Sequence, residues 1–524
     1  MTPRASATPI ERPRWAWFAL TLAMVWVAFV RVPLVRYAPA HLDSDLAVDG
    51  LTLIDAVQGR WHWHFPGTPH MGVTPLVLAW PQAKVWGATP QTLVSGGVLA
   101  YEAVVLATFL LALRAFGPKA AIWGLVPLAF ASTGTIWLSG RLTGGHLLTV
   151  AWHAAALTLL HSGLSRGGVV RALALGLWCG LGVYLDQMFL ITMAIIFLVI
   201  IIAWPVPGLQ RKRILILLVF LLGAVVGELP REVGRIVDPY DAYQAQFDPL
   251  LDREVLKGHA RLLAYECLPR LIAGHVLPSL RTDPNPSQVG ARGTTAWRRT
   301  WRPLDLFTTS TALALFAIAI LALAWGPTSS DERAGRAVRW ALLTAAAAVA
   351  AGFIVNRNIF NSDNYRYLVF LLAPWSLGFG LALERLARWR RGVALAIALG
   401  FACLMTADSA LWYVGFGWVG PEARVPGRDP ALTWLDDHPE VTHVFGDYWD
   451  VYRLSFLTGG RVRGAPYPIY PNRYKGWSRG LEPGRGTLLV VRPAPDWRAF
   501  LTAAWRDDGR TPADLSQLTI LTWP

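Results

Sequence analysis

The chain returns repeatedly to apolar runs of about 17 to 21 residues, the length an α-helix needs to cross the hydrocarbon core of a bilayer with every backbone group bonded internally. Hydropathy and breaker residues mark about eleven of them. They lie near residues 15–35, 93–113, 120–138, 145–161, 172–185, 188–204, 214–230, 306–325, 339–355, 367–384 and 392–412. The stretch 172–204 must go out and come back within about 33 residues, so it reads either as two minimal spans or as one broken hairpin. Composition agrees, because 524 residues with 54% hydrophobic and 16% charged side chains cannot be arranged as a water-soluble protein. The first run exceeds a signal-peptide core and further spans follow it, so it is read as an anchor rather than a leader cut at Ala38–Ala40. The predicted class is a polytopic α-helical membrane protein.

Lys and Arg in short loops stay on the cytoplasmic side. Arg4, Arg12 and Arg14 precede the first span, and Arg114 with Lys119, Arg166 with Arg171, Arg211–Arg213, Arg333 with Arg336, and the run ending at Arg391 fall on alternate turns after it. This predicts a cytoplasmic N-terminus. It places segments 36–92 and 231–305 and everything after the last span on the outer face. The net charge of +14 is then mostly loop charge suited to anionic headgroups. No Walker loop, zinc-finger spacing or basic stripe with interleaved aromatics accompanies it, so no nucleic-acid partner is expected. Three cysteines, Cys179, Cys267 and Cys403, give neither a disulfide framework nor a metal-ligand spacing.

The expected organisation is a membrane module over residues 1–412, with outer loops 36–92 and 231–305, followed by a small soluble α/β domain over 413–524. In that tail THVFGDYW, TLLVVRP and LTILTW read as strands and YWDVYRLSFLTGG as a helix.

The densest polar set directly follows the first span. HLDSDLAVDGL presents Asp43, Asp45 and Asp49, then continues as an amphipathic helix with Leu46, Leu51 and Ile54 on its apolar face and Gly59 as its stop. Such a helix is expected to lie along the membrane surface. Asp43 or Ser44 suits a helix N-cap, and Asp45 and Asp49 are four apart on one face. Capping and solvation compete with catalysis here. His62, His64 and His70 follow in a Pro- and Gly-marked turn; they are the candidates should a divalent metal be used, but their spacing lacks ligand definition, so no cofactor is expected and substrate or solvent contact is preferred. Glu102 and Asp186 stand inside spans, where an ionisable group is either functional or paired between helices. His146 and His153 share a helical face, near the site or simply packed.

The order of an anchor, an acidic first outer loop, further spans and an outer tail resembles the GT-C superfamily of lipid-linked-sugar glycosyltransferases. It is most similar to bacterial relatives of protein O-mannosyltransferases and of the aminoarabinose transferase of lipid A. DSDLAVDGL (from Asp43), RLTGGH (from Arg141), GLGVYLD (from Gly180), NYRYLVFLLAP (from Asn364) and GDYWDVYRLSFLTGGR (from Gly446) carry the likeness.

The resemblance implies a membrane glycosyltransferase moving a sugar from a polyprenyl-phosphate donor to an acceptor hydroxyl on the outer face of a bacterial inner membrane. It implies Asp45 as the base. The family commonly has Glu next, where this chain has Leu46, so Asp43 stands as the substitute. Arg366 and Arg141 match positions contacting the donor phosphate. Arg231, Arg235 and Lys475 are further candidates, against the alternative of interface anchoring. Asp49, His64, His70, His146 and Tyr365 are expected around the substrate cavity. The competing class is a polytopic transporter or lipid flippase, which explains the spans but not the large outer segments and shows no paired broken-helix pattern.

Overall fold

The computed structural model describes residues 13–205, 210–237, 247–272, 295–326, 332–420, 429–466, 473–474, 487–491 and 519–523. Arg4, Arg12 and Lys475 lie outside the described residues, as do 238–246 and 273–294 of the second loop.

Each apolar run lies on helix. Arg14–Arg36, Pro90–Ala115, Leu147–Arg166, Arg213–Val237, Arg333–Val355 and Ser362–Gly415 are long and apolar enough to cross a membrane, while Val169–Leu185, Gln187–Ala203 and Ser310–Trp325 are shorter. The run at 120–138 is divided: helix Pro118–Ala129 contains Pro127 and ends at Phe130, and Ser132 caps a new helix, Thr133–Leu138, by accepting from Thr135 N at 3.1 Å. The last two runs share one helical stretch, Leu372–Gly415, which breaks at Arg390 (φ −143°, ψ 79°) instead of opening into a loop. Stretch 172–204 is two helices, Val169–Leu185 and Leu190–Ala203. Asp186 turns the chain between them, accepting from Met188 N at 2.9 Å.

Helices Val169–Leu185 and Gln210–Val237 meet backbone to backbone. Gly176 and Gly180 face the carbonyls of Phe220 and Ala224, and a Cβ at Gly223 would stand 2.5 Å from the Leu173 carbonyl oxygen. Small residues at four-residue spacing permit this approach in lipid, where close packing replaces the hydrophobic drive. Leu218, Leu222 and Val225 of the same helix stay exposed, as a lipid-facing side requires.

The first loop forms helix Ser44–Val57, here the loop helix, and the hairpin β1 (His64–Phe65) and β2 (Thr68–Gly72). Gly59 stands at φ 88°, as the stop signal requires. The loop helix does not lie on a surface: Leu46, Ala47, Val48, Leu51 and Leu53 are all buried. Its second cover is the C-terminal unit, which contributes helix Tyr448–Leu457. That unit holds four parallel strands, β3 (Val441–Gly446), β4 (Arg463–Pro466), β5 (Thr487–Val491) and β6 (Thr519–Trp523), in the order β4-β3-β5-β6. The short β4, RGAP, carries none of the apolar, β-branched run by which the other three were legible.

Candidate active site

Asp43 caps the loop helix. Its Oδ1 accepts from Leu46 N at 2.9 Å, and its Oδ2 lies 2.7 Å from Arg141 Nη1. Burial pushes its carboxyl above the usual range, with the Asp45 charge adding and the Arg141 charge opposing. Asp45, two residues on, is held differently. Its Oδ1 accepts from Tyr448 Oη at 2.5 Å and from Arg473 Nη2 at 3.3 Å. Burial works against its charge, but Arg473, then Arg366, then the Tyr448 hydroxyl outweigh it, and Asp45 lies below the usual range. Two neighbouring carboxyls are thus pushed in opposite directions by their surroundings.

Asp49 is buried and accepts from both Thr143 N, at 3.1 Å, and Thr143 Oγ1. Burial raises it to about 7, against the Thr143 hydrogen bonds and with the two other aspartates adding. It therefore ties the loop helix to the turn that carries Arg141.

Arg141 follows helix Thr133–Leu138, and its guanidinium stacks 4.5 Å from the Trp137 ring. Only 8% of the residue is exposed, yet among the described residues neither terminal nitrogen makes an aligned hydrogen bond; the approach to Asp43 is an ion pair without one. Arg366 lies in the 3-10 segment Ser362–Leu371, donates to Tyr367 Oη at 3.4 Å, and has a buried Nε with no partner among the described residues. Its charge reaches both Asp43 and Asp45. Tyr365 donates to Gly134 O at 2.9 Å beneath the Arg270 guanidinium, which pairs with Asp363 at 3.1 Å.

A second polar group adjoins the first. His146, the one non-glycine residue with positive φ (52°) among the described residues, places Nδ1 2.6 Å from Asp186 Oδ2, and its ring lies 5.6 Å from that of Tyr367. His70 is buried beside this pair and is held down to about 4, first by burial. His64 is buried in the hairpin near Gly234. Arg231 pairs with Glu228 at 3.1 Å on its own helix. His62 lies 2.9 Å from Asp55. His153 bonds Thr192 at 2.8 Å, away from the aspartates. Among the described residues no three His, Cys, Asp or Glu side chains converge as a metal site.

Of the expected residues, Asp43, Asp45, Asp49, Arg141 and Arg366 thus come together in one cluster, and His70 and His146 in the adjoining one. Sequence reasoning missed Tyr448 and Arg473. The signal for Tyr448 lay in GDYWDVY, a strand running directly into a helix; Arg473 stands two residues before Lys475.

No protein-family model matches the sequence, and no curated relative matches it. Solved structures do. ArnT from Cupriavidus metallidurans bound to undecaprenyl phosphate superposes with a TM-score of 0.51 at 13% identity, over 98% of this chain and 90% of that one. The archaeal oligosaccharyltransferase AglB from Archaeoglobus fulgidus, in complex with an inhibitory peptide and a dolichol-phosphate, gives 0.50 at 14% identity over 87% of this chain. This chain spans 65% of that oligosaccharyltransferase. At these identities the likeness is one of fold.

Proposed function

We propose that the chain is an integral-membrane glycosyltransferase that moves a sugar from a polyprenyl-phosphate donor to an acceptor hydroxyl, with Asp45 as the general base. One observation carries the reading: Asp45, held by Tyr448 and Arg473, shares a buried cluster with Arg141 and Arg366, whose Nη2 and Nε respectively make no hydrogen bond among the described residues. The acceptor oxygen attacks the anomeric carbon, its proton passes to the Asp45 carboxylate, and the bond from that carbon to the phosphate oxygen breaks, its electron pair leaving with the lipid phosphate. The leaving group is already anionic and needs cations rather than an acid, a part suited to Arg141 and Arg366. Undecaprenyl phosphate and dolichol-phosphate, bound by the two solved proteins of this fold, are lipid phosphates of that kind. Asp43, capping a helix and pushed toward the neutral form, is the weaker base.

In this reading the N-terminus is cytoplasmic, and the aspartate cluster and the C-terminal unit lie on the outer face of a bacterial inner membrane. That is the depth at which a lipid-anchored donor exposes its reactive carbon.

The test is transfer in proteoliposomes supplied with a polyprenyl-phosphate sugar. Asp45→Asn is expected to lower release of polyprenyl phosphate by about 10²- to 10⁴-fold while elution and thermal midpoint stay at wild-type values. Full release in that variant removes Asp45 from the chemistry. Movement of a solute across sealed vesicles with no donor consumed favours a transporter.

A further inference from the structure

We infer that the C-terminal α/β unit is a working part of the Asp45 site: Tyr448 and Arg473 are positioning residues that hold Oδ1 only while helix Tyr448–Leu457 is seated on the loop helix. The inference rests on Asp45 being the base.

The sheet topology supplies the first argument. In an open parallel sheet the binding crevice lies beyond the carboxyl ends of the strands where their order reverses. Here the order β4-β3-β5-β6 reverses between β3 and β5. Gly446 ends β3, Asp447 caps the next helix by accepting from Trp449 N at 2.9 Å, and Tyr448 is that helix's first residue. The topology therefore aims Tyr448 at the place where the first loop puts its aspartates.

The contacts supply the second. Ser44 Oγ donates to the Tyr448 carbonyl, so the tyrosine is held at its backbone as well as at its ring. Arg473 Nε donates to Tyr448 Oη at 3.0 Å, and Arg473 N donates to Tyr452 Oη at 2.7 Å. The arginine is thus fixed to the same helix before it reaches Asp45. Both Tyr448 and Arg473 bond Oδ1, and among the described residues no donor reaches Oδ2. One carboxylate oxygen is immobilised and the other left for a proton.

The seat itself is the third. A Cβ on Gly50 would stand 2.6 Å from Phe456 Cδ2, so only glycine lets the Phe456 ring lie flat on the loop helix. Among the described residues, the charged and titratable groups that face Asp45 are Asp43 and Asp49 from its own segment, Arg141, Arg366, Tyr448 and Arg473. Two of the six belong to the C-terminal unit, so unseating it removes a hydroxyl and a cation at once.

The experiment labels full-length protein in detergent with dicyclohexylcarbodiimide, which modifies protonated carboxyls, and follows Asp45 by peptide mass spectrometry between pH 2 and pH 6. Tyr448→Phe is expected to move the labelling midpoint of Asp45 up by about one pH unit. Gly50→Ala is expected to do the same through the seat alone, and Gly50→Ala with Phe456→Ala to return it toward wild type. An Asp45 profile unchanged in both Tyr448→Phe and Gly50→Ala overturns the inference. Full transfer by Asp45→Asn would instead overturn the base assignment, a result the labelling does not depend on.

Discussion

The seam between helices Val169–Leu185 and Gln210–Val237 and the seam between the loop helix and helix Tyr448–Leu457 both depend on glycine, yet they are built for different ends. In the first, glycines on both sides meet backbone carbonyls, and the outward side chains are apolar. In the second, Gly50 admits one aromatic ring, and around it lie Ser44–Tyr448, Asp45–Tyr448 and Asp45–Arg473. An apolar seam needs only closeness, since lipid offers no competing hydrogen bonds. A polar seam must satisfy every group it buries, which fixes a single geometry. The first holds the bundle; the second sets the charge of a carboxylate.

The contrast breaks most readily at the apolar seam. Gly180→Leu would drive a side chain into the Ala224 carbonyl, where no flexible neighbour gives way. Overpacking of this kind costs about 1–3 kcal/mol or more, and the expected result is loss of most monodisperse protein on size exclusion. Gly50→Ala meets one ring and is expected to leave the yield near wild type.

The polar cluster sharpens it next. Arg141→Gln leaves Asp43 buried without its cation, at a cost of roughly 1–3 kcal/mol. It is also expected to lower transfer about 100-fold. Adding Asp43→Asn should restore the thermal midpoint but not transfer, separating the ion pair from the phosphate contact. Arg366→Gln is expected to raise the donor KM about tenfold with kcat within a few-fold, as for lost ground-state binding; a donor titration measures it.

The smallest effect concerns Asp49. Its folded-state carboxyl titrates near 7, above its unfolded value, so the folded form retains a proton that the unfolded chain has released. That stability is present in full below about pH 4 and is lost as pH rises toward 7. Asp49→Asn carries no such proton. Between pH 5 and pH 8 the difference in thermal midpoint should therefore move in the variant's favour by a few degrees.

Much of the fold was legible. Helices follow apolar runs because a chain in lipid must bond its own backbone, and the loop helix follows from Asp43, the alternation behind it and Gly59. Less legible were the break after Phe130 and the kink at Arg390, which depend on what packs alongside. The amphipathic pattern of Leu46, Leu51 and Ile54 implied a surface helix because one apolar face needs one partner; the second partner comes from about 400 residues away, a contact that periodicity cannot register. Asp45 and Arg366 were singled out by their match to the glycosyltransferase motifs rather than by spacing. Tyr448 was hidden because a tyrosine opening a helix looks like any other, and Arg473 because a basic residue in a loop reads as surface charge.

By itself, the sequence determined that this protein lives in a membrane, where its helices run, and that acids emerge as the first span ends. Those are consequences of local solvent preference, which each segment carries alone. Which of the two aspartates holds its proton more tightly was decided only by the tertiary structure. Asp43 and Asp45 are chemically identical and two residues apart, and they differ because one meets Arg141 and a helix end while the other meets Tyr448 and Arg473. A carboxyl's proton affinity depends on charges and burial within a few ångströms, and here the fold gathers those from four distant stretches of chain.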